Sequence, residues 1–188
     1  MTATHWRVRW IRLDRPGREV ARLYALKQTW HVQGTIETEF DGLRSKILYH
    51  VACDAGWHTR GISVRFWQGR IGRRFAAKVQ PDGRWRIEGR EQADLQGCTD
   101  ADLEISPATN TIPIRRLGLT IGEGQEIRTA WVRFPRLTIE PTRQRYTRLA
   151  DDLYRFENLD SGYAVEIAVD DVGLVMNYPG GWTRAPNP

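Results

Sequence analysis

The sequence predicts a mainly β protein in which a long antiparallel sheet curls around a single short central helix. Three observations support this class. Apolar and charged residues alternate along most of the chain, which is the period of strands with one buried face. Turn signals such as Asp41-Gly42 and Pro81-Asp82-Gly83 separate the alternating segments. The segment 97–119 departs from the alternation and contains residue types that are typical of helix ends.

Each strand is assigned from its own alternation, beginning with residues 6–10, where apolar residues alternate with arginine. Residues 29–40 have clear inner and outer faces, and Asp41-Gly42 should turn residues 43–54 back antiparallel on them. The other predicted strands are residues 19–27, 59–68, 75–79, 85–87, 100–105, 126–134, 143–150, 153–158, 163–170 and 173–178. A dozen or more strands cannot remain a flat open sheet, so we expect the sheet to curl.

The predicted helix lies within residues 97–119. Ser106-Pro107 ends the preceding strand, and the polar residues 109–111 offer side-chain oxygens as helix caps. Proline is tolerated in a first helical turn, so we expect the helix to start at Pro113 and to end at Gly118. A helix this short is unstable alone in water. We therefore expect tertiary packing to hold it as a plug inside the curved sheet.

Length and composition favour one globular, soluble domain over residues 1–188. Hydrophobic residues make up 40% of the chain and charged residues 27%, which excludes a disordered chain. The first residues have no apolar core like that of a signal peptide, and no run of about 18 apolar residues could span a bilayer. These features predict a cytoplasmic protein. Cys53 and Cys98 fit a reducing compartment, and a disulfide between them is the less favoured alternative.

The basic residues are mostly arginine. Of 28 basic residues 3 are lysine, and the formal net charge is +5. The arginines are scattered along the strands, which favours solvated strand faces and codon bias over a dedicated basic patch. Basic residues interleaved with aromatic ones can also bind single-stranded nucleic acid. Because the arginines do not cluster, we expect no nucleic-acid partner.

Metal-binding and nucleophile patterns are weak in this sequence. His50, Cys53, Asp54 and His58 lie close together and include zinc-ligand types. On one strand, however, His50 and Asp54 would share a face while Cys53 points to the other. Cys98 lies near acidic residues, which would raise the pKa of a thiol rather than lower it. We therefore expect no metal, no cofactor and no cysteine nucleophile.

Asp100, Asp102 and Glu104 alternate along one predicted strand and would share a face. Three carboxylates there could supply a general acid and a general base, or bind a cation. They could also form a solvent-exposed strand face whose negative charge is neutralised by Arg115 and Arg116. Pairing with arginine or exposure to solvent is favoured. Acid–base chemistry on a sugar or lipid ester is the catalytic alternative.

A different kind of candidate site combines aromatic rings with arginines, and it consists of Trp57, Arg60, Arg115, Arg116 and Trp131. Aromatic walls with a few arginines suit a cavity for an amphiphile with an anionic or sugar head. Core tryptophans and structural arginines are an equally favoured reading of the same residues.

Several segments of the sequence resemble a known bacterial family. They are Asp54-Ala-Gly-Trp-His-Thr-Arg60, the stretch GCTDADLEISPATNTIPIRRL at residues 97–117, Gln144-Arg-Tyr146 and Tyr178-Pro179. These segments are similar to the family called "putative glycolipid-binding" proteins, and the likeness extends from about residue 16 to Trp182. The resemblance implies a spiral β-roll around one helix, a homodimer, and a function inferred from likeness to lipoprotein carriers.

The residues and the resemblance together lead to a first hypothesis. The protein would be a non-catalytic binder of a glycolipid or similar amphiphile, held between the rolled sheet and the central helix. The five aromatic and arginine residues of the candidate site are expected at its mouth. The alternatives are an enzyme that uses the three carboxylates, and a dimeric interaction module with a filled core.

Overall fold

The structure is a computed structural model that describes residues 5–186, and fifteen strands of this part of the chain form a single sheet. The strands are β1 (His5–Arg12), β2 (Gly17–Leu26), β3 (Thr29–Phe40), β4 (Leu43–Cys53), β5 (Thr59–Gln68), β6 (Ile71–Val79), β7 (Trp85–Ile87), β8 (Arg90–Glu91), β9 (Asp100–Leu103), β10 (Gly124–Arg133), β11 (Thr138–Ala150), β12 (Leu153–Asn158), β13 (Tyr163–Val169), β14 (Val175–Tyr178) and β15 (Trp182–Arg184). The helical segments of the described residues are α1 (Thr111–Leu117) and two 3-10 turns, Ala93–Leu95 and Pro107–Asn110. None of these helices has the length and apolar character needed to cross a membrane.

The sheet consists of two runs of neighbouring strands that meet in its middle. One run goes from β8 to β1 and the other from β15 to β9, so β1 pairs with β15 and Trp10 lies opposite Arg184. The ladders are antiparallel, except that β9 and β10 are parallel. Strands β8 and β9 are the two edges, and no ladder within the described residues closes the sheet between them. The predicted mainly β class with one short helix is confirmed.

Hydrogen bonds between distant parts of the strand order show that the sheet curls. The backbone N–H of Thr59 donates to the carbonyl of Thr99 over 3.1 Å, and the Trp85 indole donates to the carbonyl of Cys98 over 2.9 Å. Both bonds join strands of the β8 run to the segment that leads into β9, at the opposite edge. A flat sheet would keep these segments far apart, because neighbouring strands are about 4.8 Å from one another.

The hairpin between β3 and β4 follows the prediction residue by residue. The two strands pair from Trp30 with Cys53 to Phe40 with Leu43, which leaves Asp41 and Gly42 as the turn. Both turn residues have positive φ, 52° and 72°. Two positive φ values are what a tight two-residue hairpin turn requires, and Asp-Gly is among the residue pairs that adopt them most readily.

The inward faces of the strands form the core. Side chains with no solvent exposure come from both runs of the sheet, among them Trp10, Ile36, Ile47, Phe66 and Ile167. Their alternation with exposed residues is the period of two that the sequence displays.

The central segment lies inside the curled sheet, since residues 105–114 are all buried. The Ser106 hydroxyl accepts the N–H of Ala108 over 3.2 Å and so starts the 3-10 turn that precedes α1. Helical structure therefore begins earlier than the predicted Pro113, and the prediction of a cap within residues 109–111 is wrong, because Asn110 makes no capping bond to α1. Gly118 ends the helix as expected, with a φ of 56° and its N–H donated to the Ile114 carbonyl.

Candidate ligand-binding cleft

A cleft of about 260 Å³ opens between the buried 3-10 turn Pro107–Asn110 and the sheet. Its lining comes from strands β9 to β15 and from Arg12 at the end of β1. We call this space the cleft. It lies where the two runs of the sheet meet the central segment, so its lining comes from parts of the chain that are far apart in sequence.

Five aromatic side chains line the cleft: Trp131, Phe156, Tyr163, Tyr178 and Trp182. The Phe156 ring is 6.4 Å from the Tyr163 ring and 6.5 Å from the Tyr178 ring, centre to centre. Tyr178 hydrogen-bonds Tyr163, and burial raises the pKa of Tyr178 far above its usual value. Tyr178 therefore faces the cleft as a neutral group.

Polar groups interrupt the aromatic wall on the β9 to β11 side. The Gln144 amide donates to Asp102 Oδ2 over 2.7 Å, and the Thr109 hydroxyl donates to Asp102 Oδ1 over 3.0 Å. Burial raises the pKa of Asp102 in spite of these two donors. Gln144 is 1% exposed, and its Oε1 is a buried acceptor with no partner among residues 5–186. A ligand hydroxyl could donate to that oxygen.

A buried hydrogen-bond network lies behind the cleft. Tyr49 and Ser106 both donate their hydroxyls to Glu19 Oε1, with Ser106 at 2.8 Å. Complete burial raises the pKa of Glu19 to about 8, because the charged form is poorly solvated there. Tyr49 reaches Glu19 by passing over Gly34, where a Cβ would lie 2.5 Å from the Tyr49 hydroxyl. The network ties the start of the central turn to β2 and β4.

Two of the predicted site residues, Trp57 and Arg115, contact each other away from the cleft. The Trp57 ring is buried and stacks on Trp30, with ring centres 4.7 Å apart. The Arg115 guanidinium lies 5.6 Å from the centre of the Trp57 ring. Arg60 lies on β5, and two of its nitrogens donate to Asp54 Oδ2 over 3.0 and 2.6 Å.

The remaining two predicted residues, Arg116 and Trp131, lie in separate environments. Arg116 donates to both oxygens of Asp100 over 2.8 and 2.7 Å, and the Asp100 side chain is 1% exposed. Trp131 lines the cleft and has the Arg133 guanidinium 3.9 Å from its ring centre. The structure therefore brings Trp57 next to Arg115 but does not gather all five residues at one mouth.

The three carboxylates of the catalytic alternative have different surroundings. Asp100 is held by Arg116, and Glu104 forms an ion pair with Arg133 over 3.2 Å while accepting the N–H of Phe134 over 2.7 Å. Asp102 lines the cleft and has no arginine partner among residues 5–186, and Gln144 and Thr109 are its donors.

Of the sequence neighbours His50, Cys53, Asp54 and His58, the last two approach each other, with His58 Nδ1 3.5 Å from Asp54 Oδ1, but no three of the four converge within residues 5–186. His50 Nε2 lies 2.9 Å from His31 Nδ1 on the adjacent strand, and Asp54 accepts backbone N–H groups of its own turn as well as Arg60. Both cysteines are free and buried. Burial raises the pKa of Cys53 to about 12 and that of Cys98 to about 11, which leaves little reactive thiolate at neutral pH.

A larger and more open groove of about 710 Å³ is lined by residues of β2 to β5 and of the turns beside them. Two of its charged residues, Arg18 and Glu37, already pair through a 2.7 Å hydrogen bond. Trp67 supplies its exposed aromatic surface. The cleft has buried polar atoms without partners, whereas the groove is a solvated strand face, so the cleft is the stronger candidate site.

Sequence reasoning missed most of the cleft, because Arg12, Phe156, Asn158 and Trp182 carry no local motif. One signal was present, since Gln144 and Tyr178 belong to the short segments that carry the family resemblance. Those segments contribute to one cleft although 34 positions separate these two residues.

The fold and the cleft define a curled β-roll protein with a small, aromatic-walled pocket beside a buried helix. The chain belongs to the family described as "Putative glycolipid-binding", whose sequence model matches residues 7–184. It is also similar to the crystal structure of a DUF1089 family protein from Pseudomonas aeruginosa, with 33% identity and a TM-score of 0.82. That likeness covers 90% of this chain and 92% of the other. No protein of curated function matches the chain.

Proposed function

We propose that the protein binds the sugar head of a glycolipid, or of a similar amphiphile, in the cleft without altering it chemically. The observation that carries this proposal is the combination of aromatic walls with a buried, unpartnered acceptor on Gln144. Ring faces pack against the apolar faces of a sugar, and a few fixed polar groups bind its hydroxyls. The family description supports the same ligand class.

The size of the cleft supports binding of a head group rather than a whole lipid. Pockets for drug-sized ligands span about 300–1,000 Å³. The cleft, at about 260 Å³, lies just below that range. We propose that the sugar occupies the cleft while the hydrocarbon tail lies outside it, against exposed apolar side chains.

Of the five residues predicted for the mouth, Trp131 is the one that we propose as a direct ligand contact. Arg60 and Arg116 each hold a carboxylate, and Arg115 lies against Trp57. We propose that Trp57, Arg115 and Arg116 hold the central segment in place beside the cleft, and that Arg60 holds the turn at Asp54, rather than touch the ligand.

The proposal is tested by titrating the protein with octyl β-D-glucoside below its micelle concentration and following heat or tryptophan fluorescence. We expect saturable binding that Trp131→Ala weakens by tenfold or more, because the change removes a wall of the cleft. Trp67→Ala is the matched control, since Trp67 is exposed on the outer groove and should leave binding unchanged. Absence of binding to every glycoside of a panel that varies the sugar would refute the proposal.

Asp102 favours a second candidate, hydrolysis of a sugar derivative, because its raised pKa and place in the cleft suit a general acid. Glycosidases commonly use two carboxylates, and Asp100 and Glu104 are bound to arginines. A nitrophenyl glycoside incubated with wild type and Asp102→Asn distinguishes the two functions. Release of nitrophenol by wild type and its loss in the variant would establish the enzyme.

A cytoplasmic location and a homodimer remain part of this proposal. The dimer is supported by the family resemblance, and sedimentation equilibrium of the purified protein measures it directly.

A further inference from the structure

Arg12 gives the cleft a cationic group on the β1 and β15 side. It is the last residue of β1, lies opposite Trp182 of β15 in the ladder, and lines the cleft. Its guanidinium carbon is 5.2 Å from the centre of the Trp182 ring. The side chain of Arg12 is 10% exposed. Because Arg12 pairs with β15 and also packs against the Trp182 ring, its guanidinium is held in place.

The hydrogen bonds of Arg12 leave one nitrogen unused. Nε and Nη2 donate to the two oxygens of Asp14 over 2.6 and 3.3 Å. Nη1 is shielded from solvent and has no partner among residues 5–186. A guanidinium stays charged at any ordinary pH, and an unpaired buried donor of a charged group is costly. The arrangement is therefore incomplete without an acceptor.

The surrounding carboxylates do not supply that acceptor. Asp14 is already bound through both oxygens. Glu19 is close enough for the charge of Arg12 to lower its pKa, but its Oε2 also has no partner among residues 5–186, so Glu19 and Arg12 Nη1 do not bond each other. Asp102 and Glu104 line the cleft from β9 and the residue that follows it, and both accept hydrogen bonds there.

We propose that the cleft selects an acidic sugar head, whose carboxylate or phosphate accepts from Arg12 Nη1 while its hydroxyls bind near Gln144 and Asp102. This inference rests on the proposed function and narrows it from sugar heads in general to anionic ones. Arginine binds such groups strongly because the hydrogen bonds are charge-assisted.

The test uses two probes that differ at one carbon, octyl β-D-glucuronide and octyl β-D-glucoside, titrated into the full-length protein at pH 7. We expect wild type to bind the glucuronide at least about tenfold more tightly, which is the preference that one charged hydrogen bond gives. Equal affinities, or tighter binding of the glucoside, would overturn the inference and leave the proposed function intact. If the protein binds neither of the two probes, the inference is also overturned; the proposed function is refuted only if the wider glycoside panel fails to bind as well.

Variants assign the preference to Arg12. Arg12→Met keeps an apolar stem beside Trp182 and should reduce the ratio of the two affinities to about one. Arg15→Met is the matched control, since Arg15 also pairs with Asp14 but does not line the cleft, and it should preserve the ratio. A preference that persists in Arg12→Met would refute the role of Arg12. If that variant does not fold, the wild-type ratio still decides the inference.

A third probe separates the two sources of such a ligand. Methyl β-D-glucuronide carries the same acid without a lipid tail. Affinity equal to that of octyl glucuronide would support a free sugar acid, and tighter binding of the octyl compound would support a lipid head group.

Discussion

The ion pair between Arg116 and Asp100 is predicted to be a main support of the central helix. Arg116 lies on α1 and Asp100 on β9, and two hydrogen bonds of 2.8 and 2.7 Å join them. Replacing Arg116 with Met leaves a carboxylate that is 1% exposed without its counter-charge. Removing one partner of a buried pair costs about 3–5 kcal/mol. Because the Thr99 hydroxyl still donates to Asp100 over 2.7 Å, we expect the lower end of this range, about 3 kcal/mol.

Urea unfolding, followed by tryptophan fluorescence, measures this loss of unfolding free energy. In thermal unfolding, the same loss should lower the Tm of a chain of this size by about 6–12 °C. Arg115→Met is the matched control on the same helix. Arg115 is exposed and contacts the Trp57 ring, which is worth about 0.5–1 kcal/mol. If Arg116→Met is no more destabilising than Arg115→Met, the pair does not support the helix and the reasoning is wrong.

Two further predictions concern the buried network behind the cleft. Gly34→Ala should destabilise the fold by about 1–3 kcal/mol, because the new Cβ would overlap the Tyr49 ring. Thermal unfolding measures this loss of stability, and an unchanged Tm would contradict the close approach of Tyr49 to Gly34. Glu19 has a folded-state pKa of about 8, above its ordinary value of 4.5, so its neutral form is favoured in the fold. Its contribution to stability is therefore fully present below about pH 4.5 and is lost as pH rises through 8. Urea titrations from pH 5 to 9 should show that loss in wild type and a flatter profile in Glu19→Gln; identical profiles would exclude Glu19 as its source.

The alternation of apolar and polar residues was enough to predict most of the fold. It identified the long strands, and Asp41-Gly42 set the register of β3 on β4. The helix was found but its start was misplaced, because the Ser106 cap acts through a 3-10 turn that precedes the α-helix. Strands β8 and β15 were not predicted; β8, with two residues, is too short for any period to appear, and β15 has three residues.

The cleft could be predicted only in part, because its walls depend on pairing between distant segments. Arg12 and Trp182 become neighbours through the β1–β15 ladder, and nothing local in either segment indicates this. Trp131 was predicted from residue type. Arg60 and Arg116 were predicted on the same basis, but arginine chemistry serves a protein carboxylate as well as a ligand, and the sequence does not distinguish the two. The single-domain assignment stays a prediction.

Because β1 pairs with β15, the cleft depends on the last part of the described chain to be synthesised. Apart from the parallel pair β9–β10, each run of the sheet is built from antiparallel neighbours in sequence that can pair as they leave the ribosome. The pairing of β1 with β15 must wait for Trp182, some 170 positions after Arg12. A chain halted before that residue keeps its hairpins and lacks one wall of the cleft. Ligand capture would therefore report that translation and folding had both been completed.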